Sequence, residues 1–492
     1  MTVTAAGGLW PTSDFYAARG ARRSRWLMAG AAALATLYAL LVVATQGSPL
    51  IVVPLGVVLV VGAIVARPIL GLGLLGAVGA LLERFDLPVN TPLTAQLHAY
   101  QNLSGFTPIP LRLSLADLLI VLTLIAWLGH RAARHERPRT GPFAVVMLLY
   151  LAAFVVGTGI GLMRGGFDEN AALGELRGPL YVVVVYFLAA DLIRTRSELL
   201  WMVAGFAALI GVKALQGIGT YATTLGTLDE VTGHEDVVFF NVVLALALVA
   251  VVLGLRTRLA WMVLAIAPFC FLAELFTQRR AGYVGLAMIG MAIAMLFVIR
   301  DPRRGWPIVI AGALAVGTYV PIFWNDTGPI GQPIRAIRAG LDDPGVSVRD
   351  QLSDRFRVIE NSNIAFTMKM VPLTGVGVGQ PYALKEQPPR LPASFTFWQY
   401  ITHNALLWLW LKAGPFGAFA LWWLVARVAL FGSALWARMK DPELRWLATI
   451  PIAFIVGQVI FSSVELGLNY SRCMILLGIG LGSASFLERS AS

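Results

Sequence analysis

Charge is scarce in this sequence. Only 13% of its 492 residues are Asp, Glu, Lys or Arg, while 58% are hydrophobic and the mean hydropathy is +0.74. A soluble globular chain carries about 25% charged and about 45–50% apolar residues. The shortage excludes an ordinary soluble enzyme, and the apolar excess excludes a disordered chain. Cysteine is nearly absent: Cys270 and Cys473 are the two, each inside or beside an apolar stretch. That excludes a disulfide framework and a thiolate metal site. Lysine is rare too, five of the 38 basic residues, a compositional bias with little physical content. No internal repeat or low-complexity tract occurs, so fibrous and solenoid architectures are excluded. The net charge of +11 does not imply nucleic acid, because the arginines lie in short clusters between apolar stretches and form no basic domain.

Long apolar runs are what the chain does have. A bilayer-spanning helix needs about 20 mainly apolar residues. Fourteen stretches qualify, beginning near Trp26, Pro49, Ile69, Leu113, Pro142, Pro179, Leu199, Val237, Leu259, Ala281, Trp306, His403, Trp446 and Cys473. The third and the last are short, so the expected fold is an all-α polytopic integral membrane protein with about 12–14 transmembrane helices. The run from Trp26 to Thr45 is too long for a cleavable signal and has its small residues inside it, so it reads as a first span.

Orientation follows from the short-loop arginines. Arg19, Arg22, Arg23 and Arg25 precede the first span; Arg67 follows the second; Arg131, Arg134, Arg137 and Arg139 follow the fourth. Arg194 and Arg196, Arg256 and Arg258, then Arg300, Arg303 and Arg304 follow the sixth, eighth and tenth; Arg438, Lys440 and Arg445 follow the twelfth. Every cluster follows an even crossing, so both termini are expected in the cytoplasm. The organisation is then a cytoplasmic segment over 1–25, membrane helices over 26–324, a long outer-face (periplasmic) loop over 325–402, membrane helices over 403–487 and a cytoplasmic tail over 488–492.

Three outer segments carry chemistry. In the long loop, Val348, Leu352, Phe356, Ile359, Phe366 and Met370 recur at helical spacing, and Ser347 with Asp350 resembles a capping box. An amphipathic helix at the membrane surface is expected, with Arg357 nearly opposite the apolar stripe and Arg355 on its margin. Pro372-Leu-Thr-Gly-Val-Gly-Val-Gly-Gln380 follows; its alternate glycines suit a phosphate cradle or, more simply, a tight turn, since no strand precedes them. Phe276-Thr-Gln-Arg-Arg-Ala-Gly-Tyr283 places two adjacent arginines on the outer face, against the positive-inside bias, which favours an anionic ligand over snorkelling. Thr402-His403-Asn404 opens the twelfth span, where a histidine at a membrane–water boundary can serve as a base or merely as a polar interfacial residue. His98 and His234 are outer-face alternatives, while His130 and His135 fall on the cytoplasmic side.

In order, spacing and common membrane side, these segments resemble the bacterial O-antigen ligase and Wzy-type O-antigen polymerase superfamily. Arg279-Arg-Ala-Gly-Tyr283 resembles the family's Ser-Arg-Gly-x-Trp/Tyr turn, with Arg280 at its arginine and Arg279 in place of the usual small residue. Arg357 to Gln380 resembles its "Arg … Pro-Leu-x-Gly-x-Gly" loop helix, and His403-Asn-Ala-Leu-Leu … Lys-Ala-Gly-Pro-Phe-Gly417 its "His-Asn-x-x-Leu … Gly-x-x-Gly" span opening. Asn241 is a fainter match. The similar region covers roughly residues 237–420. The resemblance implies transfer of a glycan from a polyprenyl (undecaprenyl) diphosphate carrier to a hydroxyl on lipid A core or on another glycan, at the outer face of the bacterial inner membrane. It implies His403 as base and Arg280 and Arg357 on the diphosphate, with Arg279 and Arg355 as further candidates. No cofactor is expected. No Asp-x-Asp occurs in an outer segment, so metal independence is expected, Asp342-Asp343 being a weak metal candidate. The rival class is a transporter or flippase of a lipid-linked glycan, for which Lys213, Asp191 and Glu274 are the intramembrane candidates.

Overall fold

The computed structural model describes residues 49–83, 93–105, 110–226, 231–326, 328–339, 348–388 and 397–491, with a few isolated positions besides. The first expected span lies mostly outside these residues, as do Ser347, Asp342-Asp343 and the segment 1–25. Helix α1, Pro49–Ala66, belongs to a compact unit of its own. The second unit begins at Arg67 and contains every other helix considered below.

These are α2 (Pro68–Leu81), α3 (Leu115–Arg134), α4 (Ala144–Met163), α5 (Glu169–Leu192), α6 (Arg196–Thr223), α7 (Asp236–Leu253), α8 (Arg258–Thr277), α9 (Arg280–Arg300) and α10 (Pro302–Ile322). Then come α11 (Gln332–Ala339), α12 (Val348–Met370), α13 (Ala405–Arg438), α14 (Pro442–Leu447), α15 (Ile450–Ser462) and α16 (Ser471–Ala491). Among the described residues eleven helices, counting α14 and α15 as one, are long and apolar enough to cross a membrane. The protein is a multi-pass, all-helical membrane protein.

Local chemistry sets the helix ends. Ser114 and Thr195 form capping boxes with Asp117 and Glu198, and Asp168 caps α5 by accepting from the N–H groups of Asn170 and Ala171 at 2.9 Å. Helix starts fall within a few residues of the sequence expectation, with one clear exception. The sixth span was expected from Pro179, but α5 begins ten residues earlier at Glu169, and Pro179 lies inside it. The segment Glu169–Gly178 reads as a loop because it is polar; Asp168 nevertheless nucleates it as helix, and membrane helices tolerate an internal proline.

Helix α13 runs 34 residues with a break at Gly414, whose φ is +65°. Pro415 has no N–H to give the Leu411 carbonyl, and the break frees that acceptor. The glycine loop supplies the missing donors: Val376 N–H reaches the Leu411 oxygen at 2.7 Å and Gly377 N–H at 3.4 Å. Val378 N–H bonds the Gly157 carbonyl of α4 at 3.0 Å, and Gly379 N–H donates to Glu175 at 2.7 Å. The amides a phosphate would need are therefore committed to protein acceptors, and the loop is a turn wedged between α4 and α13. It fits only because α4 is bare where it passes: a Cβ on Gly161 would sit 1.9 Å from the Val378 carbonyl oxygen. Gly161→Ala is expected to lower stability by about 1–3 kcal/mol, the range for overpacking, measured as a fall in the detergent melting temperature. An unchanged melting temperature would mean the loop is not docked there.

The amphipathic helix is present as α12, but its apolar stripe is only half right. Phe356 and Ile359 are buried as expected, whereas Phe366 and Met370 are exposed. Further along, the buried face continues through Glu360, Asn363, Ile364 and Thr367. Polar residues win there because each has a partner: the Asn363 side chain accepts from the N–H groups of Lys385 and Glu386, and the Thr367 hydroxyl accepts from Ala383 N–H.

Candidate functional site

One end of the bundle gathers residues from five separated segments. They are the turn before α7, the α8–α9 turn, α12, the approach to α13, and the α15–α16 connection. Of the described loop, α12 crosses this end and supplies most of the contacts.

Arg280, the first residue of α9, makes a two-pronged pair with Asp354 of α12, Nη1–Oδ2 at 2.8 Å and Nη2–Oδ1 at 2.6 Å. Its position is fixed from below: Asn241 of α7 donates to the Gly282 carbonyl at 2.8 Å, in the first turn of α9. Arg357, one turn after Asp354, reaches Glu465 at 3.0 Å and lies 3.9 Å from Asp354. Arg279 contacts His234 through Nη2 and the ring Nε2. Glu465 also faces His234, Oε2 to Nδ1 at 3.9 Å. Arg355 is exposed. The loop arginine of the cluster is therefore Arg357, and Arg355 does not join it: a two-residue step on a helix turns a side chain about 200° away.

Burial alone would raise the Glu465 carboxyl, but the neighbouring His234 and the charges of Arg357 and Arg279 outweigh it and hold it well below the usual carboxylate range. A depressed value means that the stability its partners confer is fully present above the ordinary glutamate value of about 4.3 and is lost only as pH falls toward the depressed value. Acid inactivation between pH 5 and 6 cannot arise from this carboxylate.

His403 does not stand in the first turn of α13. It precedes the cap residue Asn404, whose side chain accepts from Leu407 N–H at 3.1 Å. Its own partner is Glu360, a wholly buried carboxylate on α12. Glu360 Oε2 accepts from the His403 backbone N–H at 3.0 Å, and Oε1 faces ring Nδ1 at 3.3 Å. Phe356 stands edge-on to the imidazole, ring centroids 5.3 Å apart. Asp354, Arg357 and Glu360 thus place a two-pronged arginine pair, a second arginine and a histidine along seven residues of α12, about 9 Å of helix.

Of the candidates read from the sequence, Arg279, Arg280, Arg357 and His403 share this end of the bundle. Asp354, Glu360 and Glu465 were missed. They are single carboxylates in no motif; the one available signal was that Asp354 and Glu360 are three residues to either side of Arg357. Among the described residues no three His, Cys, Asp or Glu side chains are arranged to hold a metal ion.

Of the intramembrane candidates of the rival reading, Asp191 and Lys213 are tied into ion pairs, whereas both carboxylate oxygens of Glu274 are buried without a hydrogen-bond partner. Asp191 lies at the opposite end, bonded by Arg131 and by Trp127 at 2.5 Å. Lys213 pairs with Glu83, beside a buried network in which Arg472 binds Glu235 at 2.9 Å, Asp236 at 2.6 Å and the Gly79 and Ala80 carbonyls. Glu274 is buried against Gly282. Buried charges cost several kcal/mol each unless paired, and the Arg472 network ties α2, α7 and α16 together. No protein-family model matches this chain, and no curated protein matches it either.

Proposed function

We propose that the protein is a membrane glycosyltransferase of the O-antigen ligase or polymerase type, acting at the outer face of the bacterial inner membrane. The observation that carries this reading is the convergence at α12 of its own Arg357 with Arg280 and a carboxylate-bound His403 from distant segments. The donor is a polyprenyl diphosphate-linked glycan, and the acceptor is a hydroxyl of lipid A core or of another glycan chain. The acceptor oxygen attacks the anomeric carbon and gives its proton to His403, while the bond from that carbon to the diphosphate oxygen breaks. The electron pair leaves with the diphosphate, and the configuration at the anomeric carbon inverts. Diphosphate is a good leaving group, so its developing charge needs stabilisation more than protonation. Arginine supplies planar, permanently charged donors for this.

Both arginines rest on carboxylates, which the diphosphate must replace. The Arg280–Asp354 pair is the easier to exchange, because the Asp354 side chain is 43% exposed. Ion pairs so exposed are worth about 0.2–1 kcal/mol, and a diphosphate offers more charge than the carboxylate it displaces. Asp354→Asn is therefore expected to tighten donor binding about 1.5- to 5-fold, the same energies as ratios, measured by titration with a short-chain polyprenyl diphosphate glycan. Weaker binding would make Asp354 part of the donor site and not its competitor.

The experiment that tests the function is transfer in vitro, with purified protein, a lipid-diphosphate glycan and lipid A core or glycan acceptors. Acceptor-dependent release of polyprenyl diphosphate supports the reading. Movement of the intact donor across a vesicle membrane, with no transfer, would support the transporter instead.

A further inference from the structure

We infer that Glu360 is the positioning residue of this site, fixing the tautomer of His403 so that Nε2 carries the lone pair that takes the acceptor's proton. The catalytic half of this inference rests on the proposed transfer reaction; the structural half rests on the geometry alone.

Both oxygens of Glu360 are spent on one residue. Oε2 takes the His403 backbone N–H and Oε1 faces Nδ1. A carboxylate only accepts, so the ring nitrogen opposite it must be the one bearing hydrogen, and in a neutral imidazole the other nitrogen then has the lone pair. A half-turn of the ring about its bond to Cβ would put Cδ2 where Nδ1 stands and forfeit the contact with Glu360, and Phe356 stands edge-on beside the ring. Glu360 is fully buried, whereas the His403 side chain remains 23% exposed. Glu360 holds Nδ1, so Nε2 is the ring nitrogen that this carboxylate does not engage. A buried group that orients a ligand or base through the second ring nitrogen recurs wherever imidazole chemistry needs a single tautomer.

The same geometry predicts what the isosteric amide does. In Glu360→Gln, the His403 backbone N–H can only donate, so it claims the amide oxygen. The amide NH₂ is left facing Nδ1, which must then accept. The proton moves to Nε2, and the ring presents an N–H where the reaction needs a base.

The test is ¹⁵N NMR of histidine-labelled full-length protein in nanodiscs at mildly alkaline pH, with His403→Ala to assign the signals. Wild type is expected to show Nδ1–H and a lone pair on Nε2, and Glu360→Gln the reverse. Turnover in Glu360→Gln is expected to fall about 10²- to 10⁴-fold, as much as loss of the base itself, because a wrong tautomer leaves no base on Nε2. Donor affinity should change less than about twofold, because Glu360 touches neither arginine in the cluster. Glu360→Asp keeps a carboxylate and should recover both the tautomer and part of the rate. Nε2–H in wild type would overturn the inference, as would an unaltered tautomer in Glu360→Gln. If the Gln variant does not fold, the wild-type and Asp spectra decide. The tautomers are read without substrate. Absence of transfer by the wild type would therefore overturn the glycosyltransfer reading and leave the Glu360 inference to stand or fall on the spectra.

Discussion

His403→Gln is expected to lower the single-turnover rate of transfer by about 10²- to 10⁴-fold, the contribution of a general base, with the protein still folded and inserted. Gln is preferred to Ala because the backbone N–H of residue 403 still satisfies one Glu360 oxygen, and the side-chain amide can offer N–H to the other. A buried carboxylate left half-bonded would cost about 1–3 kcal/mol and confuse stability with chemistry. The fold should not notice the change otherwise: Asn404, not His403, caps α13. Donor binding should persist, since the side chains of Arg280 and Arg357 rest on Asp354 and Glu465 and not on His403, and so keep their places for the diphosphate. Near-normal rates would reduce His403 to a strut between α12 and α13. His234 would then be the next histidine to test, although its Nε2 is already engaged by Arg279.

The fold was legible because one physical quantity dominates it. A run of about 20 apolar residues is sufficient evidence for a membrane helix, whatever packs around it, and it located α3, α4 and α6 to α9 to within a few residues. It failed at α5, where Asp168 starts the helix in polar sequence and burial of Glu175 is made possible by Lys412, 237 residues away in the chain, at 2.8 Å. Pairing over such separations leaves no local trace. The site divides along the same line. His403 and the arginines carry distinctive chemistry and stand where apolar runs end, so they could be picked out individually. Glu360 could not: it lies on a helix whose period seemed to call for an apolar residue on the buried face, and its reason for being there is a histidine 43 positions later. The glycine loop is the tight turn, the simpler of its two sequence readings. Its alternate glycines suit a phosphate in principle, but they answer the bare surface of α4 and the carbonyl that Pro415 leaves without a donor.

Arg280→Lys and Arg357→Lys are each expected to cut turnover about 10- to 10²-fold, and the alanine variants about 10²- to 10³-fold, the range for removing a preorganised charge-stabilising donor. The Arg280–Asp354 contact shows why lysine is inadequate. Two nitrogens of one guanidinium meet two oxygens of one carboxylate at 2.8 and 2.6 Å, the same fork a phosphate group can accept. An ammonium keeps the charge but has no such fork, so it can follow only one oxygen of the departing diphosphate. If the contacts strengthen as the bond to the anomeric carbon breaks, the loss should appear in the chemical rate more than in donor affinity. Arg338→Lys is the control. Arg338 belongs to the same long loop, donates to the Trp324 carbonyl at 2.9 Å and lies over the Trp324 ring, so its substitution removes a guanidinium from the loop while keeping the charge. Wild-type turnover in either test variant would remove that arginine from the site. Equal damage in the Arg338 control would mean that the loop needs guanidinium groups generally and that the loss is not particular to Arg280 and Arg357. Damage confined to donor affinity would make the arginines anchors for the ground-state diphosphate, and the stabilisation of its leaving charge would have to be sought in another group at this end of the bundle, with Arg279 the first to test.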